Sequence, residues 1–234
     1  MQLTLQSKKE EVPGVISFVF QPAQPISWQA GQFLEYTLEH PNPDERGVKR
    51  YFTIASAPYE QKVMLTTRFT KDTGSSFKKA LFALEVGQTL EAEGPKGSFV
   101  INDPNQTYVF ISGGIGITPF RSILLDLAHK NQPINITLLY ANRDENIVFK
   151  DELESLLPNY PNFKIQYFIG ESNQLDQEKL QKMLDTKIIS LNYYFYVSGP
   201  EPMVQSLEKI LSDLQVLDER LKRDFFPGYD WPMK

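Results

Sequence analysis

Along the first hundred residues, apolar and polar positions alternate in short runs. They are 2–9 (QLTLQSKK), 14–22 (GVISFVFQP), 33–40 (FLEYTLEH), 50–56 (RYFTIAS), 62–70 (KVMLTTRFT) and 89–95 (TLEAEGP). Each is rich in β-branched or aromatic residues and bounded by Gly, Pro or Asn, the grammar of short strands. One stretch breaks the rhythm: in 75–86 (SSFKKALFALEV), Phe77, Leu81 and Leu84 fall on one helical face behind Ser75 and Ser76. Six strands and one helix predict a small antiparallel β-barrel over residues 1–104. From about residue 105 the pattern changes. Apolar runs at 108–113, 135–143, 163–170 and 193–200 alternate with amphipathic stretches at 119–130, 148–157, 177–184 and 201–214. That alternation predicts βα units, and so an α/β domain with a parallel sheet over residues 105–234. The polar linker 102–106 (NDPNQ) separates the halves.

Composition narrows the chemistry. Hydrophobic residues make up 41% and charged residues 23%, enough for packed cores and unlike a disordered chain. Cysteine is absent, which excludes disulfides, a thiol nucleophile, thiolate zinc sites and Cys-ligated clusters within these residues. With only His40 and His129, a histidine-rich metal site is also excluded, and no metal is expected. Any redox chemistry must then come from an organic cofactor or another polypeptide. No run approaches the ~20 apolar residues of a membrane span, and the first residues carry no signal-peptide core, so a cytoplasmic protein without a membrane span is expected. Net charge is −5, yet residues 45–100 hold nine Lys/Arg against six acids, +3, leaving −8 elsewhere. The acidic whole argues against nucleic acid as a partner. The basic stretch suits an anionic ligand or partner, or is simply a solvated surface.

Three stretches carry candidate chemistry. Residues 112–119 (SGGIGITP) place Gly113, Gly114 and Gly116 between a strand and a helix, with Thr118 and Pro119 at the helix start. Glycine lets backbone approach a phosphate closely and the helix start attracts anions, although the same residues also make a plain strand-to-helix turn. Within 49–58 (KRYFTIASAP), Arg50 and Phe52 share one side of a strand and Thr53 points to the other. That is either a ligand-facing set or an exposed edge strand. Residues 94–99 (GPKGSF) and 198–203 (SGPEPM) are plausible turns in isolation.

Taken in order, Arg50-x-Phe52-Thr53, Gly74-Ser75-Ser76, Gly94-Pro95-x-Gly97, GGIGITP, LLYANR and SGPEPM resemble the ferredoxin–NADP reductase superfamily, over nearly the whole chain. That resemblance implies a flavin-binding barrel followed by an NAD(P)-binding domain, with FAD and NAD(P)H as cofactors. By it, Arg50 pairs with the FAD pyrophosphate, Phe52 lies on the flavin ring, Thr53 sits near the hydride-accepting atom, and Gly74, Ser75 and Ser76 present donors to the pyrophosphate. Thr66, Thr67 and Arg68 line the ribityl or adenosine part, and Tyr51 belongs to the same set. Gly113, Gly114, Gly116, Thr118 and Pro119 receive the nicotinamide nucleotide, with Asn142, Arg143, Gly199, Pro200 and Met203. Ser198 stands where the family has Cys beside the nicotinamide. In the tail, Phe226 and Tyr229 are candidates to cover the flavin, and Thr53, Ser198 and Tyr229 are the candidate catalytic residues. For nucleotide choice, Arg143 suits a 2′-phosphate while Asp144 and Glu145 suit a free ribose hydroxyl, and these signals oppose each other.

The implied function is a flavoprotein reductase that takes hydride from NAD(P)H and passes electrons to a separate carrier, a ferredoxin- or flavodoxin-like protein or a partner subunit. The basic residues Arg68, Lys71, Lys78 and Lys79 are candidates to dock an acidic carrier. Alternatives are a quinone, ferric or flavin reductase with a small acceptor, and a non-catalytic nucleotide-sensing subunit.

Overall fold

The computed structural model describes residues 1–69 and 74–226. Alternation in the first half produces six antiparallel strands, β1 (Gln2–Val12), β2 (Val15–Pro22), β3 (Phe33–Thr37), β4 (Lys49–Thr53), β5 (Val63–Arg68) and β6 (Thr89–Lys96), in the order β4-β3-β6-β1-β2-β5. The outer strands β4 and β5 approach each other, where the Ala55 N–H donates to the Met64 carbonyl at 2.8 Å. Inward positions such as Leu3, Leu5, Phe18, Phe20, Leu34 and Tyr36 are fully buried and form the barrel core. Helix α1 (Ser76–Ala83) adds Phe77 and Leu81 to that core, and Leu84 follows them. Ser75 caps the helix by accepting from the Lys78 N–H, satisfying one of the donors a helix start leaves unpaired.

The second half forms a five-stranded parallel sheet, β7 (Tyr108–Gly113), β8 (Ile136–Asn142), β9 (Lys164–Ile169), β10 (Tyr194–Pro200) and β11 (Leu221–Phe226), ordered β11-β10-β7-β8-β9. Its inner strands β7, β8 and β10 are buried on both faces because both are covered. Val109, Ile111, Leu139, Phe195 and Val197 pack on α4 (Gln177–Asp185) and α5 (Glu201–Asp213). Phe110, Leu138, Tyr140 and Tyr196 pack on α2 (Ile117–His129) and join Ala55, Met64 and Phe99 of the barrel half, so one apolar cluster runs across both halves. Strand order reverses between β7 and β10, which places a topological switch point at their carboxyl ends.

Two elements differ from expectation. The helix expected at 148–157 is only α3 (Lys150–Glu154): Phe149 adopts a left-handed conformation (φ 61°), and a short 3-10 turn containing Pro158 follows. The sheet gains a strand beyond the four expected, β11, parallel to β10 and reaching Phe226. Among the described residues no helix is long and apolar enough to cross a membrane.

Polar contacts brace the two halves. The buried Arg121 guanidinium, on α2, donates to the Glu152 carboxylate at 2.6 and 2.7 Å. It also reaches the Glu60 carboxylate at 2.9 and 3.2 Å and the Ala55 carbonyl at 2.8 Å, both on the barrel side. Next to it, the Ser122 hydroxyl donates to the Ser56 carbonyl at 2.7 Å. Lys222 on β11 reaches the Ser98 and Val100 carbonyls at 2.8 and 2.9 Å. Removing one member of a buried ion pair leaves its partners uncompensated. Arg121→Ala is therefore expected to lower stability by about 3 kcal/mol in urea unfolding. Glu152→Gln, at a more exposed partner, should lower it by about 1 kcal/mol or less. Equal losses in the two variants would rule out the guanidinium as the centre of the brace.

Candidate functional site

On the barrel, the β3–β4 connection folds back over the start of α1. Arg50 is 5% exposed, so its guanidinium must find partners inside the protein. One nitrogen, Nη1, donates to the carbonyls of Arg46 (2.8 Å), Gly47 (2.9 Å) and Lys49 (2.6 Å). Nη2 donates to Asp44 Oδ1 at 2.6 Å, and the other Asp44 oxygen accepts the Ser76 N–H at 2.9 Å. Ser76 returns a contact, since its hydroxyl accepts the Asp44 N–H at 2.8 Å and meets His40 Nε2 at 2.9 Å. Burial works to raise the Asp44 pKa, but donors from Ser76, Arg50 and the Arg46 N–H outweigh it and hold the carboxyl at about 2. Arg50 Nε is buried with no acceptor among the described residues. A guanidinium beside a helix start is an anion-binding corner, and that unsatisfied N–H fits a further acceptor oxygen.

The neighbouring aromatic residues belong to this corner. Phe77 lies 5.6 Å below the Arg50 guanidinium, and Phe52 lies 5.9 Å from Phe77 and 5.8 Å from Tyr36. Arg50, Phe52 and Ser76 are thus brought together. Tyr51 is 60% exposed and turned to the opposite side, where it meets Phe33 and the Lys49–Glu35–Lys96 cluster. There, hydrogen bonds from Lys49 and Tyr51 lead in holding the Glu35 carboxyl at about 2. Thr53 is buried in β4. The Thr66 hydroxyl pairs with that of Ser17 at 2.7 Å, and Thr67 is fully buried. Gly74 precedes the Ser75 cap and is partly exposed. Of the proposed docking residues, Arg68 and Lys78 are only partly exposed, with Lys78 Nζ donating to the Arg68 carbonyl at 3.0 Å; Lys79 is exposed, and Lys71 lies outside the described residues.

At the switch point three glycines are required by close packing. A Cβ on Gly116 would sit 2.2 Å from the Ser198 carbonyl oxygen, and one on Gly113 would sit 2.2 Å from Met203 Sδ and 3.2 Å from Pro200. A Cβ on Gly199 would come within 3.2–3.3 Å of the Gly113 backbone. These residues let the β7 loop press against β10 and α5. Only Gly114 needs its conformational freedom, with φ +52° in the 3-10 turn Gly114–Gly116. Thr118 donates to the Ile115 carbonyl at 3.2 Å, and Pro119 is accommodated in the first turn of α2. Asn142 ties its own loop together, with Nδ2 donating to the Asp144 and Asn146 carbonyls at 2.7 and 3.1 Å. Asp144 Oδ1 accepts the Asn146 N–H at 2.8 Å, so this carboxylate is already engaged within its loop; Arg143 and Glu145 are exposed.

Register aligns Ser112, Ser198 and Asp224 across β7, β10 and β11. Ser198 donates to Asp224 Oδ2 at 3.2 Å, while the Ser112 hydroxyl is buried without a partner among the described residues. Burial pushes the Asp224 carboxyl up to about 6, opposed by the bond from Ser198. Asp44 and Asp224 are the residues that sequence reasoning missed. The signal for Asp224 was present, a lone acid in the aromatic run RDFF; Asp44 reads as one more polar residue of a loop. Of Phe226 the backbone lies in β11 and nothing is described beyond it, and Tyr229 lies outside the described residues.

Known proteins share this two-part fold. Residues 2–101 match the oxidoreductase FAD-binding domain family and residues 110–209 the oxidoreductase NAD-binding domain family. Among curated relatives, a flavohemoprotein of Deinococcus radiodurans is 28% identical over 222 residues, covering 88% of this chain and 54% of that protein. The ferredoxin reductase component of a Rhodococcus rhodochrous 3-ketosteroid-9-alpha-monooxygenase is 26% identical, covering 96% of this chain and 64% of that protein. The chain thus spans between about half and two thirds of these relatives. A solved ferredoxin-NADP+ reductase from Plasmodium falciparum, with 2'P-AMP, superimposes with a TM-score of 0.80 at 20% identity, covering 96% of this chain and 95% of that one. The flavohem-like FAD/NAD-binding domain of a Vibrio cholerae nitric oxide dioxygenase gives 0.79 at 22% identity, covering 96% and 98%. With an FAD-binding barrel and an NAD-binding parallel sheet matched in order along it, the chain belongs to the ferredoxin–NADP reductase superfamily.

Proposed function

We propose that the protein is an NAD(P)H-dependent flavoprotein reductase that serves a separate electron acceptor, a small carrier protein or a partner redox subunit. Bound FAD supplies the chemistry, accepting hydride from NAD(P)H and releasing electrons onward. The chain's own part is to bind and orient. Arg50 and the start of α1 hold the diphosphate, and Phe52 offers an aromatic face. The β7 loop, with Gly199 and Pro200, forms the floor on which the nicotinamide nucleotide is placed. What carries this reading is the contact of β5 with the Gly114–Gly116 turn, which sets the flavin-side strand against the nucleotide loop. Relatives described as reductase components or subunits support a protein acceptor. Anaerobic titration of the flavin-loaded protein with NADH, then NADPH, tests the reading: loss of flavin absorbance is expected with at least one nucleotide. Binding without bleaching would leave a sensor in place of a reductase.

Ser198 and Asp224 hold a shareable proton at the nicotinamide end of the sheet. In the folded protein Asp224 titrates near 6, above the ~3.9 of an unfolded aspartate, so the folded state binds the extra proton between those values. Wild-type stability is therefore expected to rise, relative to Asp224→Asn, as pH falls from about 7 to 4. Urea unfolding at several pH values checks the sign, and a difference independent of pH would refute it. Gly116→Ala brings a Cβ against the Ser198 carbonyl and must push the β7 loop off β10. It should weaken NAD(P)H binding by about tenfold or more, the scale of 1–3 kcal/mol for overpacking, and leave FAD affinity within about twofold.

A further inference from the structure

The anion corner on the barrel is built from a guanidinium and the first turn of an eight-residue helix, and the chain's own carboxylate already sits in it. Asp44 Oδ1 receives Arg50 Nη2 at 2.6 Å and Oδ2 receives the Ser76 N–H at 2.9 Å, so this one side chain bridges the two donors best placed for a ligand phosphate. Further contacts hold it there. The Arg46 N–H donates to Oδ1 at 3.0 Å, the Gly47 N–H to the Asp44 carbonyl at 2.8 Å, and the Asp44 N–H to the Ser76 hydroxyl at 2.8 Å. The loop is folded tightly around the carboxylate, with Asn42 (φ 53°) and Gly47 (φ 66°) in left-handed conformations. Yet the corner is not saturated, because the buried Arg50 Nε still lacks an acceptor among the described residues. One carboxylate supplies two oxygens, whereas a diphosphate supplies more, and its charge is greater.

We propose that Asp44 is a resident anion in the diphosphate subsite: a dinucleotide must displace its carboxylate from Arg50 and Ser76, so Asp44 lowers flavin affinity and keeps the flavin exchangeable. The inference rests on the flavoprotein reading above. The Arg50 guanidinium is always charged and the Asp44 carboxyl is held far below neutral pH, so the internal pair is present under all working conditions. A site closed by its own side chain binds with an apparent Kd equal to the intrinsic Kd divided by the fraction of time it stands open; a site open one tenth of the time loses about tenfold in affinity. Displacement also frees the β3–β4 loop, so exchange of Asp44 for phosphate is coupled to movement of residues 42–47.

The test uses the full chain stripped of flavin. FAD and riboflavin affinities are measured by flavin fluorescence for wild type, Asp44→Asn and Asp44→Ser, the second guarding against a folding defect particular to one variant. Riboflavin lacks the diphosphate and serves as the control. The expected result is FAD binding about tenfold tighter in the variants, with riboflavin affinity unchanged. ADP should likewise raise the melting temperature of the variants more than that of wild type. Weaker FAD binding in the variants would overturn the proposal and make Asp44 a positioning residue for Arg50. Equal changes for FAD and riboflavin would overturn it as well, by placing the effect in the barrel as a whole. Failure of all three proteins to bind either flavin would instead remove the flavoprotein reading, and the proposal with it.

Discussion

A guanidinium cannot be buried alone, and Arg121 resolves this by drawing one carboxylate from each side of the molecule, Glu60 from the barrel and Glu152 from the parallel sheet's half. The desolvation of the guanidinium is tolerable only while carboxylates meet it. That requirement turns a weak preference for contact into a fixed geometry. Around it runs the apolar cluster shared by Met64, Ala55 and Phe99 of the barrel with Phe110 and Tyr196 of the sheet and Phe120 of α2. Apolar burial supplies adhesion without direction, and the ion pairs with the Ser122–Ser56 bond supply the register. Because Arg121 lies two residues beyond Pro119, the helix that carries the brace is also the helix that follows the β7 loop. Any slip of the brace would be felt at once in the position of Gly114 relative to β5.

The switch point between β7 and β10 depends on missing side chains. Gly113, Gly116 and Gly199 let two backbones and Met203 approach within a distance that a Cβ would forbid. Ser198 faces Asp224 in the next strand and donates to it at 3.2 Å. A thiol is a weak donor, while a hydroxyl can stabilise a carboxylate drawn into the protein. Serine and aspartate are therefore matched to each other, and neither is explained alone.

Much of the fold was legible because it rests on local periodicity. Period-two runs became β1 to β6, and apolar strands alternating with amphipathic stretches became the parallel sheet. What failed locally failed for local reasons, such as the left-handed Phe149 that delays α3. The site was legible only in part. Arg50, Phe52 and Ser76 do converge, because strand alternation and a helix cap fix where they point. Tyr51, next in the chain to Arg50, necessarily faces away. Asp44 and Asp224 were hidden because their meaning lies in contacts with residues distant along the chain or across a strand pair, which periodicity does not encode. Three of the glycines also answer a packing demand between β7, β10 and Met203, which the sequence pattern does not show.

The two aspartates show how one residue type acquires opposite character. Asp44 sits among donors from Arg50, Ser76 and Arg46, and their sum exceeds the penalty of burial, so the group stays anionic. Among the described residues the Asp224 carboxyl has one donor, the Ser198 hydroxyl, which does not offset burial, so the pKa is pushed up to about 6. Donor count against desolvation decides the matter, not the side chain itself. The first lies on the barrel beside Arg50 and the second in β11 beside Ser198, so two different electrostatic settings give one residue type opposite shifts.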